Sequence, residues 1–198
     1  MNKTAVFLLG MGAGLLVGGG CGVMVGIFST EAGMNILTGA LESSEPAEVS
    51  SPQTLRGRYF TLDYPGNWRV DTDDADYDPD GYFDLNAPGQ GKVMIYIVPP
   101  ESPVEGILAE WEQNLTTNIV SDHERRTFTT WGRFEGTGVE LDGRLLVAEG
   151  RVRMFGTLGE PRGLAIMEMR YDEDEANNGP GYDLIERTLA PVEAAAGR

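Results

Sequence analysis

The sequence predicts an α+β fold, in which helices cover an antiparallel sheet, preceded by one N-terminal transmembrane helix. Residues 5–28 form an unbroken apolar and glycine-rich stretch. After residue 55 the pattern changes to strands, a helix, a run of strands and a closing helix, an order typical of a sheet with helices packed on it. About 140 residues in this second part are enough to bury a core without disulfides or metals.

The apolar stretch, residues 5–28, has the length of a membrane span. As a helix it would be about 36 Å long, against a hydrocarbon core of about 30 Å. Lys3 precedes it, and Glu31 and Glu42 follow it. The positive-inside rule therefore predicts a single-pass membrane protein with a cytoplasmic N-terminus and a periplasmic or otherwise extracytoplasmic C-terminal domain.

Two other interpretations of this segment stay open. A cleaved signal peptide has a shorter apolar region and a small-residue cleavage site, whereas the best site here, Thr30-Glu31-Ala32, is a poor one. Lipidation of Cys21 would require a lipobox, but three glycines precede this cysteine and the apolar run continues beyond it. We therefore favour an uncleaved anchor in the lipid bilayer.

Glycines recur every four residues along the anchor and define a glycine stripe: Gly10, Gly14, Gly18, Gly22 and Gly26. Four residues advance a helix by about 400°, so the stripe drifts slowly around the helix and suits a right-handed crossing. Glycine also lets two helix backbones approach closely. The stripe predicts packing against subunits of a membrane protein complex or against a second copy of the chain. A glycine-rich helix that merely spans the bilayer is the alternative.

The chain divides into three parts on this basis. Residues 1–28 are the anchor, and 29–54 hold a short amphipathic extension and then an acidic linker rich in serine and proline. Residues 55–198 form the extracytoplasmic domain.

The first half of the domain is predicted as strands followed by a helix. Alternation and turn residues predict strands at 57–64, 82–86 and 92–98, with an extended segment around 68–70. Ser102-Pro103-Val104-Glu105 has the form of a capping box with proline in the first turn, which predicts a helix from there to Ile119.

The second half is predicted as a meander of strands closed by a helix. The predicted strands are 125–131, 134–141, 144–155 and 163–171. Asp142-Gly143 is interpreted as a two-residue hairpin turn, 172–181 as an acidic loop and 182–189 as the closing helix.

Several segments of the domain resemble the PsbP-like superfamily, which includes the photosystem II extrinsic protein PsbP and periplasmic proteins of the DcrB type. The segments are YFTLDYPGNWRV, GYFDLNAPGQGKVMIYIV, the helix after them and TFTTWGRFEGTGVELDG, within residues 57–190. The resemblance implies a sheet covered by helices and a protein that binds other proteins, by analogy in a photosynthetic or electron-transfer complex. It matches core and turn positions such as Tyr64, Pro65, Trp68 and Gly132, and it carries over no functional residue.

The strongest polar signal lies at residues 71–84, which hold seven aspartates in fourteen positions. The spacing matches the first half of a calcium loop, with Asp76, Asp78, Asp80 and Asp84 as candidate ligands. However, Ala87 stands where the loop needs its bidentate glutamate, and the flanking elements are predicted strands. A calcium site and a solvated acidic loop both stay open. A second acidic run, Asp172–Glu175, is typical of a solvated surface; a further calcium ligand or, with the first run, a docking face for a basic partner are the alternatives.

Composition excludes several classes of function. A formal charge of −16 argues against nucleic acid and against docking on anionic lipid. One cysteine and one histidine exclude a disulfide scaffold and a Cys/His zinc cluster. His123 is predicted in a surface loop without a nucleophile beside it. Three tryptophans, Trp68, Trp111 and Trp131, occupy apolar positions and are predicted in the core rather than around a ligand.

We therefore predict a non-catalytic, membrane-anchored interaction protein, an accessory subunit of a larger membrane assembly. A tethered module that binds calcium or a small ligand is the alternative. No cofactor is required, and calcium is the one left open.

Overall fold

A computed structural model describes residues 45–100, 102–146, 148–159 and 162–192. The predicted anchor, the glycine stripe and Cys21 lie outside the described residues. Within the described ranges, neither helix combines the length and the apolar character that a bilayer crossing demands.

The described residues form ten strands and two helices. In chain order they are β1 (Gln53–Arg56), β2 (Phe60–Tyr64), β3 (Arg69–Val70), β4 (Tyr82–Asn86), β5 (Lys92–Val98), α1 (Val104–Asn118), β6 (Val120–Trp131), β7 (Phe134–Leu145), β8 (Ala148–Thr157), β9 (Gly163–Tyr171), α2 (Glu175–Thr188) and β10 (Ala190–Pro191). The α+β prediction is confirmed, and β4, β5 and β9 have the predicted bounds.

The strands form two antiparallel sheets. The larger sheet has seven strands in the order β3-β4-β5-β9-β8-β7-β6, and the smaller one has the order β1-β2-β10. All nine residues of β9 are buried, because this strand lies at the centre of the larger sheet with helices on both faces.

Each face of the larger sheet carries its own core. On the face that we name the α1 face, α1 packs Val104, Leu108, Trp111 and Leu115 against the sheet. The opposite face, the α2 face, is covered by α2 and by the smaller sheet, whose β2 contributes Phe60 and Leu62. The three tryptophans are each 1% exposed, which confirms their prediction as core residues.

Residues 46–51, expected to lie in a flexible linker, are instead fixed to the domain, and we name them the N-terminal strap. The side chain of Asn67 accepts a hydrogen bond from the Glu48 N–H at 2.9 Å and donates one to the Pro46 carbonyl at 3.0 Å. The Ala47 N–H donates to the Asn177 carbonyl of α2 at 2.9 Å. The turn after β2 thus holds the strap, and β1 begins within the expected linker.

Two local predictions from turn and cap residues were wrong. Helix α1 begins at Val104 with Pro103 at its N-cap and no side-chain cap, so Ser102 is one residue too early to cap it. Asp142 and Gly143 lie inside β7, where both pair with β8 and Asp142 also pairs with β6, and the chain turns at Leu146, whose φ is 55°. Glycine is needed at 143 because a Cβ there would lie 2.8 Å from the His123 Cα.

The predicted loop 172–181 was also wrong over most of its length, because α2 already begins at Glu175. Asn178, Gly179 and Pro180 disfavour a helix by propensity. Packing outweighs that propensity: a Cβ at Gly181 would lie 2.6 Å from the Trp68 ring, so this turn of α2 rests directly on the indole. The predicted inward positions, Ile185 and Leu189, are fully buried.

Candidate functional site

The structure does not bring the four candidate calcium ligands together. Asp78 accepts the Asp80 N–H at 2.9 Å and so serves a turn of its own loop, whereas Asp80 accepts the backbone N–H of Arg58 and ties the loop to the segment before β2. Asp84 is 2% exposed and forms an ion pair with Lys92. Nowhere in the described ranges do three or more histidine, cysteine, aspartate or glutamate side chains converge as metal ligands. Calcium binding stays a prediction that this arrangement does not favour.

Asp84 belongs to the interior of the α1 face instead. The Tyr82 hydroxyl donates to its carboxylate at 2.6 Å. Burial raises the pKa of Asp84, an effect that the Lys92 charge and the Tyr82 hydrogen bond only partly oppose. Burial and the neighbouring Asp84 carboxylate together raise the pKa of the Tyr82 phenol. This carboxylate is therefore committed to Lys92 and Tyr82.

The two acidic runs lie at opposite ends of β4 and β5. At one end Gln90 bonds Glu173 and Asp174, at 3.0 and 3.3 Å. At the other end Asp80 meets Arg58. A seven-residue strand such as β5 separates these ends by about 20 Å. The two runs are therefore too far apart to share one metal ion, and a docking face formed by both stays a prediction.

The most constrained polar group on the α2 face is Glu168, in the middle of β9 and 0% exposed. Its Oε1 accepts the Trp131 indole N–H at 2.9 Å. Its Oε2 accepts the Arg170 Nε–H at 3.0 Å and an Arg153 Nη1–H at 3.2 Å. Three donors from three strands thus converge on one buried carboxylate, which satisfies the charge that burial would otherwise disfavour.

The ion pairs continue from this centre to the surface. Arg153 also binds Glu186 of α2 at 3.1 Å and lies 3.6 Å from Glu140. Burial disfavours the charged guanidinium of Arg153, but Glu168 and Glu186 outweigh it and raise the pKa. We name the set Glu140, Arg153, Glu168, Arg170 and Glu186 the charge network. It joins β7, β8 and β9 to α2.

A groove of about 620 Å³ lies beside the charge network, between the β6–β7 turn and α2. Its lining residues are Gly132, Arg133, Asp183, Glu186 and Arg187. Gly132 has a φ of +55°, and a Cβ there would lie 2.1 Å from the Glu186 carbonyl, so glycine alone fits. Its N–H donates to Glu186 Oε1 at 2.9 Å, which fixes the turn against α2.

The groove carries charged groups at its rim. Arg133 and Arg187 are exposed and form no ion pair with the described acidic side chains. The lining holds guanidinium and carboxylate groups, without a hydroxyl or thiol nucleophile. His123 lies on β6, at a bulge of this exposed edge strand rather than in the predicted loop.

Sequence reasoning missed the charge network, although a signal was present. Residues 163–171 were predicted as a strand, which is confirmed, and all nine are buried. Glu168 and Arg170 are two residues apart in this strand, so they share one face. Opposite charges on one face of a buried strand require partners, and that requirement pointed to a network.

Comparisons with known proteins add little to this geometry. No protein-family model and no curated protein matches the sequence. The chain is similar to the solution structure of cyanobacterial PsbP (CyanoP) from Synechocystis sp. PCC 6803, with a TM-score of 0.44 and 13% identity over 77% of this chain and 99% of that one. It is also similar to PA94 of Pseudomonas aeruginosa, a protein of unknown function, with a TM-score of 0.38 and 15% identity over 72% and 99% of the two chains. The first is named after the superfamily that the sequence resembles, and at these scores membership stays a prediction.

Proposed function

We propose that this chain is a non-catalytic, membrane-anchored interaction protein. Its N-terminal helix would hold a PsbP-like domain on the extracytoplasmic face, where the domain serves as an accessory subunit of a larger membrane assembly. The observation that carries this proposal is the N-terminal strap. Its hydrogen bonds fix residues 46–48, through which the chain enters the domain, to the turn at Asn67 and to α2.

The strap limits how far the domain can move from the membrane. Only residues 29–45 separate the predicted span from the first residue bound to the domain, Pro46. Seventeen residues reach at most about 60 Å when fully extended. The chain also enters at a defined place, between the turn at Asn67 and the start of α2. A domain that only needed a tether would gain nothing from this ordered attachment, whereas an accessory subunit must be presented in position.

The groove beside the charge network supports a binding role. Its walls are held by the half-buried ion pair between Arg153 and Glu186 and by the hydrogen bond from the Gly132 N–H to Glu186, so the surface is already formed before a partner arrives and little ordering is needed on binding. Exposed guanidinium groups at its rim make directional contacts with carboxylates.

The glycine stripe provides the test of the proposal. Replacement of Gly14, Gly18 and Gly22 by leucine would remove the close helix contact while preserving a spanning helix. Purification from native membranes in mild detergent should then show the wild-type chain in a defined large complex and the variant released from it.

The matched control changes Gly12, Gly19 and Gly20 to leucine, which adds the same bulk off the stripe. This control should remain in the complex. Co-purification of the stripe variant at wild-type yield would contradict the proposal, and so would a wild-type chain that always runs alone under gentler extraction. In the latter case the tethered ligand-binding module becomes the better hypothesis.

A further inference from the structure

We infer that the outer edge of β6 pairs with β6 of a second copy of this chain, in an antiparallel arrangement centred on Arg125. The contact joins the two larger sheets into one continuous sheet. This inference goes beyond the proposed function, because it concerns the contact of the chain with its own copy and requires no other partner.

Strand β6 is a long edge strand of the larger sheet. It has twelve residues and pairs with β7 on one side, and within the described ranges no strand pairs with its other side. Residues 121–127 are all exposed, so side chains on both faces of the strand reach solvent. The strand at the other edge, β3, has only two residues. Since an edge strand offers a row of N–H and C=O groups to a further strand, β6 is the edge at which this sheet can be extended.

The N-terminal strap is attached near the opposite edge of the sheet. Asn67, which holds the strap, lies two residues before β3. Six strand spacings of about 4.8 Å separate β3 from β6, which amounts to about 29 Å across the sheet. The strap therefore does not cover β6.

A row of alternating charges crosses the sheet and ends at this edge. The residues that lie directly opposite one another on β9, β8, β7 and β6 are Glu168, Arg153, Glu140 and Arg126. The last ion pair of the row, between Arg126 and Glu140, measures 3.9 Å. The row thus reaches the edge with a positive charge. A further strand is expected to place a carboxylate opposite Arg126, because opposite charges on directly facing positions stabilise strand pairing.

Strand β6 itself supplies that carboxylate. Glu124 lies two residues before Arg126, so the two side chains share the α2 face, and they bond each other at 2.8 Å. In an antiparallel pair centred on Arg125, Glu124 of each copy lies opposite Arg126 of the other. A pair centred on Glu124 or on Arg126 would instead set like charges opposite each other, which is destabilising. The charge order therefore favours a second copy as the occupant and selects one register.

The residue on the two-fold axis already has its counter-charge. Arg125 lies on the α1 face, where its Nε–H and an Nη2–H donate to the two carboxylate oxygens of Glu112, at 2.6 and 3.2 Å. Such a two-pronged contact fixes the guanidinium and neutralises it. Two Arg125 side chains can therefore meet at the axis without an uncompensated repulsion.

Two irregularities of β6 limit the length of the contact. Asp122 has a φ of 49°, and the register with β7 shifts on that side and again after Phe128. Irregularities of this kind terminate pairing at sheet edges. A pairing centred on Arg125 uses only residues between these two points, from His123 to Thr127.

The test is disulfide trapping of the full chain in native membranes, in a Cys21→Ser background. Directly opposite residues of antiparallel strands have Cα atoms about 4.5–5.5 Å apart, within the range of a disulfide. Arg125→Cys should therefore form a covalent dimer on mild oxidation. His123→Cys and Thr127→Cys should each stay monomeric, because each lies about 14 Å from the same residue of the other copy. The two variants should form a dimer with each other when they are co-expressed.

A charge exchange tests why this register is favoured. Glu124→Arg and Arg126→Glu each set two pairs of like charges at the interface, and each should lower the initial rate of Arg125→Cys trapping about tenfold. The double exchange restores both pairs and should return the rate to within about twofold of the starting value. Arg126→Glu loses its contact with Glu140 in the single and the double variant alike, so recovery in the double variant reports on the interface. Thr130→Arg, an added charge beyond the paired residues, is the control and should leave the rate unchanged.

Three outcomes would overturn the inference. Trapping of His123→Cys or Thr127→Cys alone at the rate of Arg125→Cys would indicate random collision. Trapping of Arg125→Cys to a different protein would assign the edge to another partner. An Arg125→Cys thiol that is shielded from a maleimide without forming a dimer would mean that another segment covers the edge.

The glycine-stripe variant separates this inference from the proposed function. Arg125→Cys should still be trapped after Gly14, Gly18 and Gly22 are replaced by leucine, although that variant is released from the large complex. Loss of trapping there would assign the contact to the anchor and overturn the pairing of β6. If no Arg125→Cys dimer forms while the wild-type chain still runs in its complex, the proposed function survives and this inference fails.

Discussion

Strands β8 and β9 send alternate side chains to the two faces of the larger sheet, and the two sets differ in chemistry. On the α1 face they present Met154, Met167 and Met169, packed under the helix. On the α2 face the neighbouring positions are Arg153, Glu168 and Arg170. The apolar set stabilises by burial and tolerates exchange of similar shapes. The charged set depends on defined partners, and it fixes α2 and the β6–β7 turn where the groove lies.

The largest expected effect breaks the charged set at its centre. Glu168→Gln keeps the size of the side chain but removes its negative charge. The guanidinium groups of Arg153 and Arg170 then lose the counter-charge at the centre of the network. We expect a loss of about 3–5 kcal/mol in the free energy of unfolding, as for other buried ion pairs that lose one partner. The measurement is urea unfolding of the full chain in detergent, followed by tryptophan fluorescence.

Met167→Leu, one residue away and facing α1, is the control for this prediction. A swap of similar volume should cost less than about 1.5 kcal/mol. If the two variants unfold at the same urea concentration, the two faces do not differ in the way described. Replacement of Arg153, Glu168 and Arg170 together by methionine should recover much of the stability and still loosen the contact between Glu186 and Gly132, which separates stability from positioning.

A similar contrast, between local sequence signals and long-range packing, explains which parts of the fold could be predicted from the sequence. Strands β4, β5 and β9 are bounded by glycine, proline or acidic turns and consist mainly of apolar residues, so their limits were predictable. Asp142-Gly143 misled the prediction because strands β6 and β8 both pair there, and long-range pairing outweighs a local turn signal. The start of α2 was hidden because packing on Trp68, far away in sequence, overrides poor helix propensity.

The candidate site was less predictable than the fold. Aspartate spacing drew attention to residues 71–84, where the carboxylates are used in local turns or paired with Lys92. The groove instead combines the β6–β7 turn with α2, segments about fifty residues apart. A single sequence shows which residues are charged, whereas their meeting depends on the sheet order and on the fit of Gly132 to Glu186.

A smaller effect concerns pH and tests Asp84, the buried carboxylate of the α1 face. Burial raises the pKa of Asp84 above its ordinary value of 3.8. Its contribution to stability is therefore fully present below that value and is lost as the pH rises through the higher native pKa. The Asp84→Asn variant has no carboxyl group to ionise at this position, so its stability does not fall in this way. The unfolding free energy of the variant should thus rise relative to that of the wild type as the pH rises above about 4. A constant difference across this range would show that Asp84 is not destabilised by its burial.

The smallest expected effect is that of calcium on the wild-type chain. Asp84 would have to leave Lys92 to become a ligand, and the ammonium group repels a second cation at the same carboxylate. Asp78 and Asp80 would also have to release the backbone N–H groups that they hold. We therefore expect a calorimetric titration of the full chain with calcium to show only the heat of dilution, identical in Asp78→Ala. A saturable signal that Asp78→Ala abolishes would mean that the loop rearranges around the ion. It would also mean that Asp84 can exchange Lys92 for a calcium ion, whereas Glu168 keeps its partners in the charge network.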